Sequence, residues 1–280
     1  MGAFRVALVQ LEAGTDVAAN LARAAELGER AAATGARLVV FPEYVQYRGT
    51  DDGYRASAGP VPGPLTAPFA AIARGHGCHV LAGSVAETSG VAGRPYNTSA
   101  LLGPGGEVVA RYRKLHLFDV AVDAGPSDLE SARVTPGEEA VVADVEGVGV
   151  GLSICYDLRF PELYRALALA GAEILAVPAV FTERTGRDHW EVLLRARAIE
   201  NGAFVLAAGQ FGRGGGTIPA YGRSMVVDPW GTVIAQAPDG EGIVTADLDL
   251  ERVAAVRRQI PALANRRPDA LPPGRAVVRR

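Results

Sequence analysis

The sequence predicts an α/β fold: a four-layer α-β-β-α sandwich made of two similar βαβαβ-hairpin halves, forming one domain over 1–280. Three observations predict it. Apolar, β-branched runs alternate with alanine-rich stretches of helical period. The order of these elements occurs twice along the chain. With 280 residues, 49% hydrophobic and 21% charged, the chain can bury a sizeable core beneath its helices.

In the first half, "RVALVQ" (5–10) reads as a buried strand and "NLARAAELGERAAATG" (20–35) as a helix closed by Gly35. "RLVVFPE" (37–43) is a strand stopped by Pro42. "PLTAPFAAIARGHG" (64–77) is helical after its prolines, and "HVLAGSVAE" (79–87) is a strand. "TSALLGPGGEVVARY" (98–112) is a hairpin around Gly-Pro-Gly-Gly.

The second half repeats that order. "GVGVGLSIC" (147–155) is a strand, "PELYRALALAG" (161–171) a helix, and "EILAVPAV" (173–180) a strand. "RDHWEVLLRARAIENG" (187–202) is a helix, "AFVLAAGQ" (203–210) a strand, and "RSMVVDPWGTVIAQA" (223–237) a hairpin with Pro-x-Gly at its turn. Each sheet carries helices on one face, so the two remaining apolar faces are expected to pack together. The glycine-rich "QFGRGGGTIPAYG" (210–222) reads as a flexible surface loop.

Composition excludes several classes. Net charge is −3, from 28 basic and 31 acidic residues that are well mixed, which argues against nucleic-acid or anionic-membrane partners. Runs such as "EILAVPAVF" are too short to cross a bilayer. The start of the chain shows no apolar signal core, and Val6 breaks a myristoylation pattern. Two cysteines cannot staple a chain of this size, so a reducing, cytoplasmic setting is expected.

In open α/β sheets chemistry gathers beyond the carboxyl ends of strands. Glu43 ends the second strand, Cys155 ends the first strand of the repeat, and Lys114 lies just past the first hairpin. These three are expected to converge. A thiol needs a base or cation nearby to become a nucleophile, and the start of the following helix would favour a thiolate. Glu43 can take and return a proton while Lys114 steadies an oxyanion, which suffices for acyl transfer from an amide. Each residue also has a plain reading: Cys155 as core, Glu43 as a loop acid, Lys114 in a solvated basic hairpin end. Cys78, without a paired acid or base, reads as structural.

At these residues the sequence resembles the nitrilase-like carbon–nitrogen hydrolases. "FPEY" is similar to that family's glutamate motif, "YRKLHLFDV" to its lysine motif and "ICYDLRFPEL" to its cysteine motif, in the family's order. "YNTSALL", "TGRDHWEVLLRARAIENGAFVLAA", "YGRSMVVDPWGTV" and "RRPD" extend the likeness nearly end to end, closest to the Nit branch, which holds amidases for deaminated glutathione and ω-amidases. The resemblance implies attack of Cys155 on an amide carbon, a thioester that Glu43 helps water to hydrolyse, and an oxyanion held by Lys114 and the backbone N–H of Tyr156. It places a second glutamate at Glu130, a carboxylate-binding arginine at Arg159, and pocket residues at Phe181 and Thr185. His189 and Trp190 read as packing residues. The resemblance implies no cofactor and no metal, a small amide as substrate, and a homodimer or larger homo-oligomer; the arginine-rich 260–280 extension reads either as ordered at a subunit interface or as mobile. An amidase of the deaminated-glutathione type is the first expectation, an ω-amidase the second, and a silent scaffold the rival from another class. The loop after Glu43 (44–63) and the segment "LFDVAVDAGPSDLES" depart from the family's usual wording.

Other chemistries fit less well. Ser153 shares a strand face with Cys155, but "GLSIC" is not a nucleophile elbow. His116 alternates away from Lys114 in an extended segment. "HGCH" (76–79) has soft-metal donors without a second ligand cluster, and the glycine runs lack a phosphate-loop pattern.

Overall fold

A computed structural model describes residues 3–121, 127–216 and 218–268. Among the described residues the strands form two large sheets and two small hairpins. The first large sheet runs Gly242–Leu248, Phe4–Gln10, Leu38–Val40, His79–Leu81, Tyr96–Leu102 and Val85–Glu87, with Val108–Arg113 also paired to Tyr96–Leu102. The second runs Val233–Gln236, Met225–Val227, Phe204–Ala207, Ile174–Ala176, Val148–Leu152 and Val142–Val145. In each sheet the three core strands are parallel and the flanking ones antiparallel.

Side-chain alternation builds the layers. Phe4, Val6 and Leu8 share a core with Val150, Leu152, Ile174 and Val205 of the other sheet. Ala7 and Val9, one step out of phase, pack instead with Ala24 and Leu27 of the helix Val17–Ala32 and with Phe69 of Ala67–His76. On the far side Tyr164, Leu167 and Leu194, from helices Pro161–Leu169 and Glu191–Asn201, cover the second sheet. The result is the expected helix–sheet–sheet–helix stack. Truncating a fully buried leucine such as Leu8 or Leu152 to alanine removes about 2–5 kcal/mol in such a setting.

Several elements differ from expectation. The first helix starts three residues earlier, where the Asp16 side chain accepts from the Ala19 N–H, 3.0 Å away. The strand expected over 79–87 is broken. Gly83 takes φ +67°, and a Cβ there would stand 1.9 Å from the Pro42 carbonyl oxygen. A six-residue helix, Asp51–Ala56, lies in the 44–63 loop. Two antiparallel edge strands were not anticipated: Val142–Val145 beside the second half's first strand, and Gly242–Leu248 beside Phe4–Gln10. They are equivalent partners, but the first half draws its own from the far end of the chain. The 260–280 extension lies outside the described residues from 269 onward.

Candidate active site

Glu43 follows the strand Leu38–Val40 and is 1% exposed. Its Oε1 accepts from Asn97 Nδ2 and Lys114 Nζ, each at 2.9 Å, and its Oε2 accepts from the Val180 N–H at 2.8 Å. Lys114 emerges from the hairpin strand Val108–Arg113, its own N–H donating to the Asn97 carbonyl at 2.9 Å. The ammonium also donates to Glu130, 2.9 Å from Oε2. Glu130 in turn accepts from the Tyr44 hydroxyl and the Phe118 N–H, both at 2.6 Å. Burial pushes the Glu130 carboxyl up, but Lys114, the Tyr44 hydroxyl and the Phe118 amide outweigh it and leave it below its ordinary value. Burial likewise opposes the charge on Lys114, yet the two carboxylates hold that proton well above the usual lysine range.

Cys155 sits just past the strand Val148–Leu152, at φ +49°, with its N–H donating to the Pro178 carbonyl at 2.9 Å. A left-handed backbone is costly for a residue with a Cβ, so the surroundings must hold it. Asp157 does so from the same five-residue turn, Cys155–Arg159. Its carboxylate is fully buried and accepts from the Ile154 N–H (2.8 Å), the Tyr112 hydroxyl (2.6 Å), and the N–H and Nδ1 of His116 (3.1 and 2.8 Å). The long helix begins only at Pro161. That helix start lies where the sequence placed it, six residues past Cys155, and it does not offset the groups that surround the thiol. Burial first, and then the negative charge of Glu43, push the Cys155 thiol well above its ordinary value, and Lys114 only partly offsets them.

These groups open into a cavity of about 400 Å³. Arg159, Phe181 and Thr185 line it, as does Tyr156. Arg159 lies over the Phe181 ring, 5.2 Å from its centroid, with Nη1 3.3 Å from His189 Nδ1. Two other arginines reach the cavity but are occupied: Arg48 donates to the carbonyls of Phe211, Gly212 and Ile218, and Arg133 pairs with Asp51 and Asp128. The 210–222 segment is not the free surface loop expected from its glycines. Phe211–Gly212 pairs with Ala220–Tyr221, and Gly216, Ile218 and Pro219 form part of the cavity wall.

The carbon-nitrogen hydrolase family profile matches residues 5–258. The chain belongs to that family. It is 39% identical over 269 residues to a deaminated glutathione amidase of Synechocystis sp., covering 95% of this chain and 99% of that one. It is 38% identical to omega-amidase NIT2 of Bos taurus, covering 96% and 97% of the two chains. Among solved structures, a glutamate-to-glutamine mutant of an amidase from Nesterenkonia sp. AN1 superposes with a TM-score of 0.80 at 29% identity, covering 96% and 95% of the chains. That structure carries the acetamide moiety of fluoroacetamide on its active-site cysteine.

Within this carbon–nitrogen hydrolase, the residues of the rival readings lie elsewhere. Ser153 is buried against Tyr164 and the Ala176 carbonyl, at 2.8 and 2.7 Å. The His116 ring is held by Asp157 and stacks on Phe160 at 3.7 Å. His76 meets Glu29 at 2.7 Å, and Cys78 is core, with burial raising its thiol to about 11. Among the described residues no cluster of His, Cys, Asp and Glu is arranged to hold a metal. Trp190 is buried packing, its Nε1–H donating to the Arg223 carbonyl at 2.9 Å. His189 is not: it is exposed beside Arg159, because the chain enters its helix through a wider turn, Gly186–Trp190. Asn97, Tyr44 and Asp157 were missed as site residues, although each lies inside a motif that the sequence displays.

Proposed function

We propose that the protein is an amidase that hydrolyses a small, carboxylate-bearing amide through a thioester on Cys155. The observation that carries this reading is the buried set of Glu43, Lys114 and Cys155 at one end of the cavity. Attack and proton transfer go together in this reading: Sγ bonds to the amide carbon as Glu43 takes the thiol proton. The carbonyl oxygen becomes an oxyanion facing Lys114 and the Tyr156 N–H. The ammonium meets Glu43 Oε1 at 2.9 Å and both Glu130 oxygens at 3.1 and 2.9 Å; one N–H shared between the two Glu130 oxygens leaves another for the oxyanion. Collapse breaks the C–N bond, and Glu43 gives its proton to the departing amine. Glu43 next deprotonates water, which attacks the thioester. The C–S bond breaks, and the proton returns to the thiol. Glu130 keeps Lys114 charged and aimed.

Arg159 is the cavity arginine without a carboxylate or carbonyl partner among the described residues, which fits it to a substrate carboxylate, with Phe181 and Thr185 shaping the same wall. Deaminated glutathione is the favoured substrate type. The cavity runs on to Tyr47, Thr50 and Tyr54, giving room for a leaving amine larger than ammonia. An ω-amide such as α-ketoglutaramate is the second reading. Comparing kcat/KM for the two decides between them, and absence of turnover of both by folded protein would leave the scaffold reading standing.

The proposal includes a homodimer or larger homo-oligomer in the cytoplasm. Leu169, Val192 and Ile199 stay 48–67% exposed on the outer helices, which favours self-association, and sedimentation analysis would test it. Among the described residues no helix is long and apolar enough to cross a membrane.

A further inference from the structure

Gln210 follows the second sheet's strand Phe204–Ala207, yet its side chain serves the first half of the molecule. It is fully buried. Nε2 donates to the Glu43 carbonyl at 2.7 Å and to the Tyr44 carbonyl at 3.0 Å, while Oε1 accepts from the Ala13 N–H at 2.9 Å. Both amide protons and the oxygen are therefore spent on backbone. The turn they hold is unusual, since Tyr44 stands at φ +55°. From the other side the broken strand contributes Ser84, whose Oγ accepts from the Tyr44 N–H at 3.0 Å and whose carbonyl accepts from the Val45 N–H at 3.1 Å. Two side chains of the same turn carry the chemistry: the Glu43 carboxylate, and the Tyr44 hydroxyl that donates to Glu130.

We propose that Gln210 is a positioning residue for the base, clamping the Glu43–Tyr44 turn so that both carboxylates meet Lys114 in register. Its backbone links that clamp to its surroundings. The Gln210 N–H donates to Ala179, next to the Val180 amide that binds Glu43, and its carbonyl accepts from Gly222 at the end of the cavity-wall loop. A glutamine at this place suits the task because two neighbouring carbonyls need two donors and an N–H needs one acceptor. Glutamate supplies the acceptor without the paired donors, and methionine supplies shape alone.

The inference rests on the amidase reading, so the test uses two readouts. Wild type, Gln210→Met and Gln210→Glu are compared for kcat and KM on deaminated glutathione and on α-ketoglutaramate. The rate of Cys155 alkylation by iodoacetamide is measured alongside and needs no turnover. In each variant kcat and the neutral-pH alkylation rate are expected to fall about tenfold or more, as misplacement of a reacting group does, with KM within about threefold. A folded variant with wild-type kcat and alkylation overturns the inference, and so does a loss that falls on KM while kcat and alkylation hold. Failure of both variants to fold would assign Gln210 to folding and overturn it too. A wild type that turns nothing over sinks the amidase reading, while alkylation still judges Gln210.

Discussion

Lys114 Nζ lies 2.9 Å from Glu43 Oε1 and 2.9 Å from Glu130 Oε2, one cation between two carboxylates, with all three residues no more than 2% exposed. Charges taken this far from water persist only when paired and hydrogen-bonded. Removing any one of them therefore changes both stability and chemistry.

Replacing Lys114 with alanine leaves two buried carboxylates facing each other. Breaking a buried ion pair costs about 3–5 kcal/mol, so thermal unfolding should shift down sharply. Where the variant folds, kcat should fall about a hundredfold or more, as when an oxyanion donor is lost. A normal kcat would refute the assigned role of Lys114.

Cys155→Ala should abolish turnover, and wild-type protein quenched during turnover should carry the acyl group on Cys155 in intact-mass spectra. Glu43→Gln should fail to clear any acyl-enzyme it forms. Turnover that survives Cys155→Ala would sink the thioester mechanism.

Glu130 gives the molecule an acid limit. Its folded carboxyl lies below the ordinary 4.5, so its contribution is fully present above that value and is lost as pH falls below it toward the folded value. Melting temperature should drop over that acid window in wild type, and less steeply in Glu130→Gln. Parallel melting curves would count against this account.

Arg159→Gln should raise KM for a carboxylate-bearing amide while leaving a neutral amide nearly untouched. A charge-assisted hydrogen bond is worth about 1.5–3 kcal/mol, or about 10- to 150-fold in kcat/KM. Equal losses on both substrates would remove Arg159 from carboxylate recognition.

Asp157→Asn keeps the shape but turns an amide group toward donors already aimed at a carboxylate. The left-handed Cys155 should lose its fixed place, lowering kcat about tenfold or more with KM little changed. Unchanged alkylation and turnover would show that the turn holds itself.

The layers and the meeting of Glu43, Lys114 and Cys155 were legible because each depends on strand period and strand ends. The edge strand Gly242–Leu248 was not, since Thr245 and Asp247 interrupt its apolar run and its partner Phe4–Gln10 lies at the other end of the chain. Nothing local to Asp157 shows that Tyr112 and His116, 45 and 41 positions away in the chain, meet its carboxylate. Gln210 ended a strand and opened the expected surface loop, whereas the carbonyls it binds lie 167 and 166 positions away in the chain. The glycines of 210–222 suggested freedom, but Arg48 donates three times into that loop. In each case the deciding partner was distant in sequence.

Glu43 and Lys114 belong to one sheet and Cys155 to the other, and the Val180 amide on Glu43 crosses between them. The carboxylate and the ammonium are thus contributed by one half and the sulfur by the other, so the three share one cavity only where the two sheets lie face to face.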